Sequence, residues 1–75
     1  MPTTLPAALG KAVKEFRKKA ELSQDALAAA AKVHRTYIPQ LEAGRINITI
    51  LSLEKIARAL GLTAGELLTA AEKMK

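Results

Sequence analysis

Apolar side chains recur along this chain at intervals of three and four residues, in five short blocks. That is the spacing of α-helices that each bury one face. In the first block Leu9, Ala12, Val13, Phe16 and Ala20 share a side, with Lys11, Lys14 and Lys18 opposite. The pattern predicts a helix over residues 6–20, and Pro6 suits its first turn. Residues 1–5, with Pro2, read as a flexible arm. Ser23 then offers an N-cap hydroxyl for a helix over 24–32, with Asp25 in its first turn and Leu27, Ala28 and Ala31 facing inward. A third helix, 35–43, stops at Gly44, a suitable left-handed cap. At about 100° per residue Arg35, Thr36 and Gln40 share one arc of it, Ile38 and Leu41 share another, and Tyr37 lies on the border. A fourth helix, 49–60, points Ile50, Leu53, Ile56, Ala57 and Leu60 inward, while Leu51 faces away with no assigned partner. Thr63 and Glu66 form a T-x-x-E capping box that starts a fifth helix, 64–73, with Leu67, Leu68 and Ala71 apolar.

Five amphipathic helices with short connections predict an all-α, compact five-helix bundle, one domain over 1–75. Pro39 disturbs that pattern. Inside a regular helix it would remove a hydrogen bond at a cost of about 3 kcal/mol, a cost that shrinks if the helix begins at Thr36. A tight or kinked first turn is the expectation.

Composition narrows the function. Twelve Lys and Arg against seven Asp and Glu give a net charge of +5, which on so small a domain suggests a polyanionic partner. The chain has no cysteine, so no disulfide framework and no thiolate metal site, in keeping with a reducing cytoplasm. No signal peptide is visible, and the longest apolar run, Ala26 to Ala31, is too short to span a bilayer. A soluble cytoplasmic protein, acting at the nucleoid with no membrane partner, is expected. With one His, no glycine-rich phosphate loop and no paired metal-binding histidines, the chain reads as neither an enzyme nor a metal or cofactor carrier.

The second and third helices carry the informative chemistry. A helix with an apolar back and a polar arc, held by a tight turn on a preceding helix, can enter a DNA major groove. Arg bonds bidentately to guanine, Gln does likewise to adenine, and Thr or Tyr can meet a thymine methyl or a phosphate. An arbitrary solvated helix face carries the same residue types, so the arc alone leaves both readings open.

The order of residues around it is more specific. Leu22-Ser23-Gln24, Tyr37-Ile38, Leu41-Glu42-x-Gly44 and Leu53-x-x-Ile56-Ala57-x-Ala59-Leu60 lie within a stretch, Val13 to Leu68, about three quarters of the chain. That stretch resembles the helix-turn-helix family of phage repressor and Cro proteins, the xenobiotic-response-element type. The resemblance implies a lambda-repressor-like architecture and a transcriptional regulator that binds a double-stranded operator as a homodimer. It implies base reading by Arg35, Thr36, Tyr37 and Gln40. Backbone contacts then fall to Ser23, Gln24, His34, Arg45, Asn47 and Ser52, with His34 and Tyr37 flanking the base-reading positions. It also implies a partly buried ion pair between Arg17 and Glu42, both at the margins of apolar stripes.

His34 to Ile38, Asn47 to Ile50 and Ser52 to Glu54 are similar, more narrowly, to the controller proteins of restriction–modification systems, which are short and lack an effector domain. An antitoxin, a phage-type repressor and a helical protein-interaction module remain alternatives. One reading helix contacts too few base pairs for specificity, so a two-fold copy is expected, meeting through Leu62, Ala64, Leu67, Leu68 and Ala71. Of Leu67 and Leu68, one should face the core and one the partner. Bound at its operator, such a dimer blocks or recruits RNA polymerase. The chain departs from the family at Glu21 and Lys32, turn positions where glycine is frequent, and at Ile46, where controller proteins commonly carry a basic or polar residue.

Overall fold

The computed structural model describes residues 3–75. Five helices follow one another: α1 Leu5–Lys19, α2 Gln24–Ala31, α3 Tyr37–Glu42, α4 Ile50–Ala59 and α5 Ala64–Lys73. Four of them start alike. Thr4, Ser23, Thr49 and Thr63 each sit in extended backbone, and each hydroxyl accepts the amide three residues on, at 3.4, 3.0, 3.1 and 3.0 Å. This satisfies one of the amides that every helix start leaves without an internal acceptor. At α5 the box closes, with the Thr63 amide donating to Glu66 Oε1 at 2.8 Å.

The helix ends are equally uniform. Glu21, Lys32, Gly44 and Gly61 follow α1 to α4 in the left-handed region, with φ between 58° and 77°. The next residue's amide then reaches back five residues: Leu22 to Arg17, Val33 to Ala28, Arg45 to Gln40 and Leu62 to Ala57, at 2.8–3.1 Å. These bonds use up carbonyls that a helix end would otherwise leave unpaired. Thus both non-glycine turn positions, Glu21 and Lys32, adopt the strained conformation that glycine tolerates.

The core is a single cluster. Leu9 and Val13 of α1, Leu27 of α2, Ile38 and Leu41 of α3, Leu53 and Ile56 of α4, and Leu67 of α5 are all buried, with alanines filling the gaps between helices. α1 packs most extensively on α5 and also crosses α3, and α2 packs on α4. At the α1–α3 crossing, Gly10 lies so close to α3 that a Cβ there would stand 2.3 Å from the Leu41 carbonyl oxygen.

Several sequence expectations change. Leu5 heads α1 and packs against the core, so it is not part of a flexible arm; Met1 and Pro2 of that arm lie outside the described residues. α3 begins at Tyr37, not Arg35, which puts Pro39 in the first turn, where its absent N–H had no intrahelical acceptor to lose. Ala20 is exposed because it sits past the last turn of α1. Ile50 was expected inward but is 78% exposed. As the first residue of α4, its side chain leans toward the helix N-terminus and projects beyond the core.

Candidate nucleic-acid interface

Helices α2 and α3 meet through residues 32–36. The left-handed Lys32 turns the chain, and Val33 tucks half-buried against the core. His34 then supports the start of α3: the Thr36 amide donates to His34 Nδ1 at 3.2 Å, and Thr36 Oγ1 lies 2.8 Å from the same nitrogen. Because Nδ1 accepts the amide proton, the neutral ring carries its hydrogen on Nε2. Ile38 and Leu41 anchor α3 in the core. Arg35, Thr36 and Gln40 are all exposed, whereas Tyr37 is half-buried and packs on the core. Arg35 and Thr36 precede α3 and present their side chains from the turn, a correction to their expected place on the helix.

Three elements are locked behind this surface by one polar network. Arg17 Nε donates to Glu42 Oε2 at 2.6 Å, Arg17 Nη2 to Glu42 Oε1 at 3.1 Å, and Arg17 Nη1 to the Leu22 carbonyl at 2.9 Å. Both side chains are nearly buried, with 11% and 5% of their surfaces accessible. The hydrogen bonds to Glu42 raise the Arg17 pKa above its ordinary value; burial opposes this, and the Coulombic pull of the same carboxylate adds to it. Gln24 joins the network, its amide donating to Glu42 Oε1 at 3.1 Å. Gln24 was expected on the DNA backbone. Its side-chain nitrogen is instead engaged within the protomer, tying the start of α2 to the end of α3. No spacing along the chain announces that contact, because the two residues lie 18 positions apart.

The remaining expected backbone positions lie at the start of α2, on the α3–α4 loop and in the first turn of α4. Ser23 and Thr49 cap α2 and α4, whose first amides point out of the helix ends and favour anions. The two starts differ. Asp25 lies exposed in the first turn of α2 and would repel a phosphate, while the first turn of α4 has no acidic residue. Ser52 is half-buried and its amide is taken by Thr49. Arg45 and Asn47 are exposed on the α3–α4 loop.

The expected self-contact residues separate. Leu67 and Ala71 are completely buried within the protomer and cannot touch a partner, which corrects their assignment. Leu62, Ala64 and Leu68 are half-buried. Among the described residues no helix is long and apolar enough to cross a membrane, and no three metal-ligating side chains gather.

Comparison with known proteins agrees with this geometry. A helix-turn-helix family model matches residues 13–67. The chain is 42% identical over 65 residues to control protein C.MunI of a Mycoplasma species, covering 85% of this chain and 88% of that one. The clp gene regulator ClgR of Corynebacterium glutamicum superposes with a TM-score of 0.90 at 30% identity, covering 97% of this chain and 94% of ClgR. The restriction–modification controller protein C.Esp1396I, solved as a tetramer in complex with its natural 35 base-pair operator, superposes at 0.85 with 27% identity, covering 97% and 96% of the two chains.

Proposed function

This chain belongs to the helix-turn-helix family, among whose members it resembles control proteins and transcriptional regulators, and we propose that it is itself a controller of restriction–modification genes. In this reading it binds an operator in duplex DNA as a homodimer and acts at the nucleoid as a regulator, not a catalyst, blocking or recruiting RNA polymerase. The observation that carries the reading is the arrangement at α3. Arg35 and Thr36 in the turn before α3, and Gln40 on it, stand exposed beside a helix whose Ile38 and Leu41 are fixed in the core and whose end is tied by Glu42 to α1 and α2.

The division of labour follows. Arg35, with its planar fork, reads guanine; Gln40 reads adenine; Thr36 and the accessible part of Tyr37 meet a methyl or a phosphate. His34, with Nε2–H turned away from its bond to Thr36, donates to a phosphate. Arg45 and Asn47 on the loop and the amides at the start of α4 hold the backbone, with Ser23 doing so at α2 against the opposition of Asp25. The lysines outside these positions supply salt-dependent, sequence-independent attraction.

Selection of bound duplexes from a random pool tests the reading. A palindromic consensus with half-sites about one helical turn apart is expected. Arg35→Ala should then weaken binding to that site by about 1–3 kcal/mol and relax one base position in each half. Selection of no consensus, or an unchanged preference in the variant, would refute the assignment.

A further inference from the structure

The hydroxyls before α1, α2, α4 and α5 each accept an amide of the first turn, but the hydroxyl before α3 does not. Thr36 stands there in helical backbone, and its Oγ1 caps nothing. That oxygen lies instead 2.8 Å from His34 Nδ1. His34 to Tyr37 form one closed turn, the Tyr37 amide donating to the His34 carbonyl at 2.9 Å, with Arg35 and Thr36 at its two central positions. The ring, the guanidinium and the hydroxyl are thus carried by one turn, and all three residues are exposed.

The Thr36 amide fixes which way the proton runs between ring and hydroxyl. It donates to Nδ1 at 3.2 Å, so Nδ1 offers a lone pair and carries no hydrogen. A nitrogen without hydrogen cannot donate to Oγ1, and the 2.8 Å contact is therefore Oγ1–H donating to Nδ1. One ring nitrogen serves two donors of the same residue, a three-centre arrangement. A hydroxyl has one hydrogen and two lone pairs. With the hydrogen committed to His34, Thr36 presents lone pairs alone to whatever approaches the turn.

We propose that Thr36 is an acceptor-only reader of the major groove, selecting on one strand a base with an exocyclic amino group, cytosine or adenine. His34 is the positioning residue that holds the hydroxyl in that state. The assignment rests on the DNA-binding reading above and sharpens it. In the major groove cytosine N4 and adenine N6 carry N–H donors, whereas guanine O6 and N7 and thymine O4 are acceptors. An acceptor-only oxygen bonds the amino groups and meets the others lone pair to lone pair. Phosphate oxygens are acceptors too, so of Thr36 and Tyr37 the phosphate falls to Tyr37, whose phenol has a hydrogen to donate. Neighbouring positions of one turn thereby read opposite groups: Arg35 donates only, and Thr36 accepts only.

Duplex selection with the full chain and its variants tests the proposal. Thr36→Val keeps the shape and removes the oxygen, so the base position whose preference it flattens is the one Thr36 reads. There the wild-type chain should prefer an amino base. In the selected duplex, purine in place of that adenine, or 2-pyrimidinone in place of that cytosine, lacks the amino group. This replacement should weaken wild-type binding about fivefold more than it weakens Thr36→Val binding. Thr36→Ser, which keeps the hydroxyl, should keep the dependence.

His34→Ala releases the hydroxyl hydrogen. Guanine or thymine should then be accepted at that position, and the amino-group dependence should fall below about twofold. His34→Asn, whose side-chain oxygen accepts the amide two residues on in the same kind of turn, should restore the wild-type preference. Both side chains are exposed, so helical circular dichroism should not change in any variant. If His34 only shaped the turn, His34→Ala would weaken all duplexes equally and leave the preference in place, which would overturn the proposal. An unchanged consensus in Thr36→Val, or wild-type binding indifferent to loss of the amino group, would overturn it as well. The two readings fail differently: a wild-type chain that selects no duplex contradicts the function, while a clear consensus without amino-group dependence contradicts only the role of the hydroxyl.

Discussion

Arg17 shows how much one side chain holds at the scale of the residue. Its guanidinium uses three nitrogens to satisfy Glu42 and the Leu22 carbonyl, and no buried side-chain polar atom among the described residues is left unpaired. Removing it strands a nearly buried carboxylate. Arg17→Ala should therefore destabilise the fold by roughly 3–5 kcal/mol, whereas Lys18→Ala on the exposed side should change it by no more than about 0.5 kcal/mol. Urea unfolding of the two variants measures the contrast. Gly10 is the other decisive residue. Inside a helix, alanine is favoured over glycine by about 1 kcal/mol. Here the added methyl would overlap the backbone of α3 at 2.3 Å, and backbone cannot swing aside. The overlap dominates, and Gly10→Ala should lower stability by about 3 kcal/mol, the upper part of the usual range for overpacking.

Among the elements, α3 is the shortest helix, at six residues, too short to persist alone in water. Tertiary anchors hold it: Ile38 and Leu41 in the core, Glu42 in the ion pair and Gly44 against Ala7. Pro39 fits because α3 starts so late, and its fixed φ then favours the first turn. The turn after α1 is less well matched to its sequence. Glu21 holds φ at 59° and places an acid at the negative end of the helix dipole. Glu21→Gly relieves both, against the greater unfolded-state freedom of glycine. The urea midpoint should move up, with a net gain of up to about 1 kcal/mol. A lower midpoint would mean that Glu21 makes a compensating contact in solution.

For the whole molecule, a domain of 75 residues buries a modest share of its surface and has little stability to spare. If copies associate as the homodimeric reading requires, folding and association are linked. The melting temperature of the wild-type chain should then rise with protein concentration. Differential scanning calorimetry over about a hundredfold concentration range measures that rise. Dimerisation would also double the number of base pairs read, which one six-residue helix cannot supply.

The sequence by itself determined what depends on neighbours along the chain. Helical period placed the five helices, hydroxyl spacing marked the starts at Ser23 and Thr63, and Gly44 marked the end of α3. That Arg35, Thr36 and Gln40 are polar beside the apolar Ile38 and Leu41 was legible for the same reason, but the arc was drawn on a helix that begins only at Tyr37, so Arg35 and Thr36 lie in the turn before it. Arg17 and Glu42, 25 positions apart, were paired through the family resemblance and not through spacing. Only the tertiary structure decided where distant segments touch. It brought Gln24 onto Glu42, pressed Gly10 against Leu41, turned Ile50 out of the core and buried Leu67 and Ala71 beyond a partner's reach. Such contacts depend on how helices cross, which the packing of the whole core sets and no local pattern encodes.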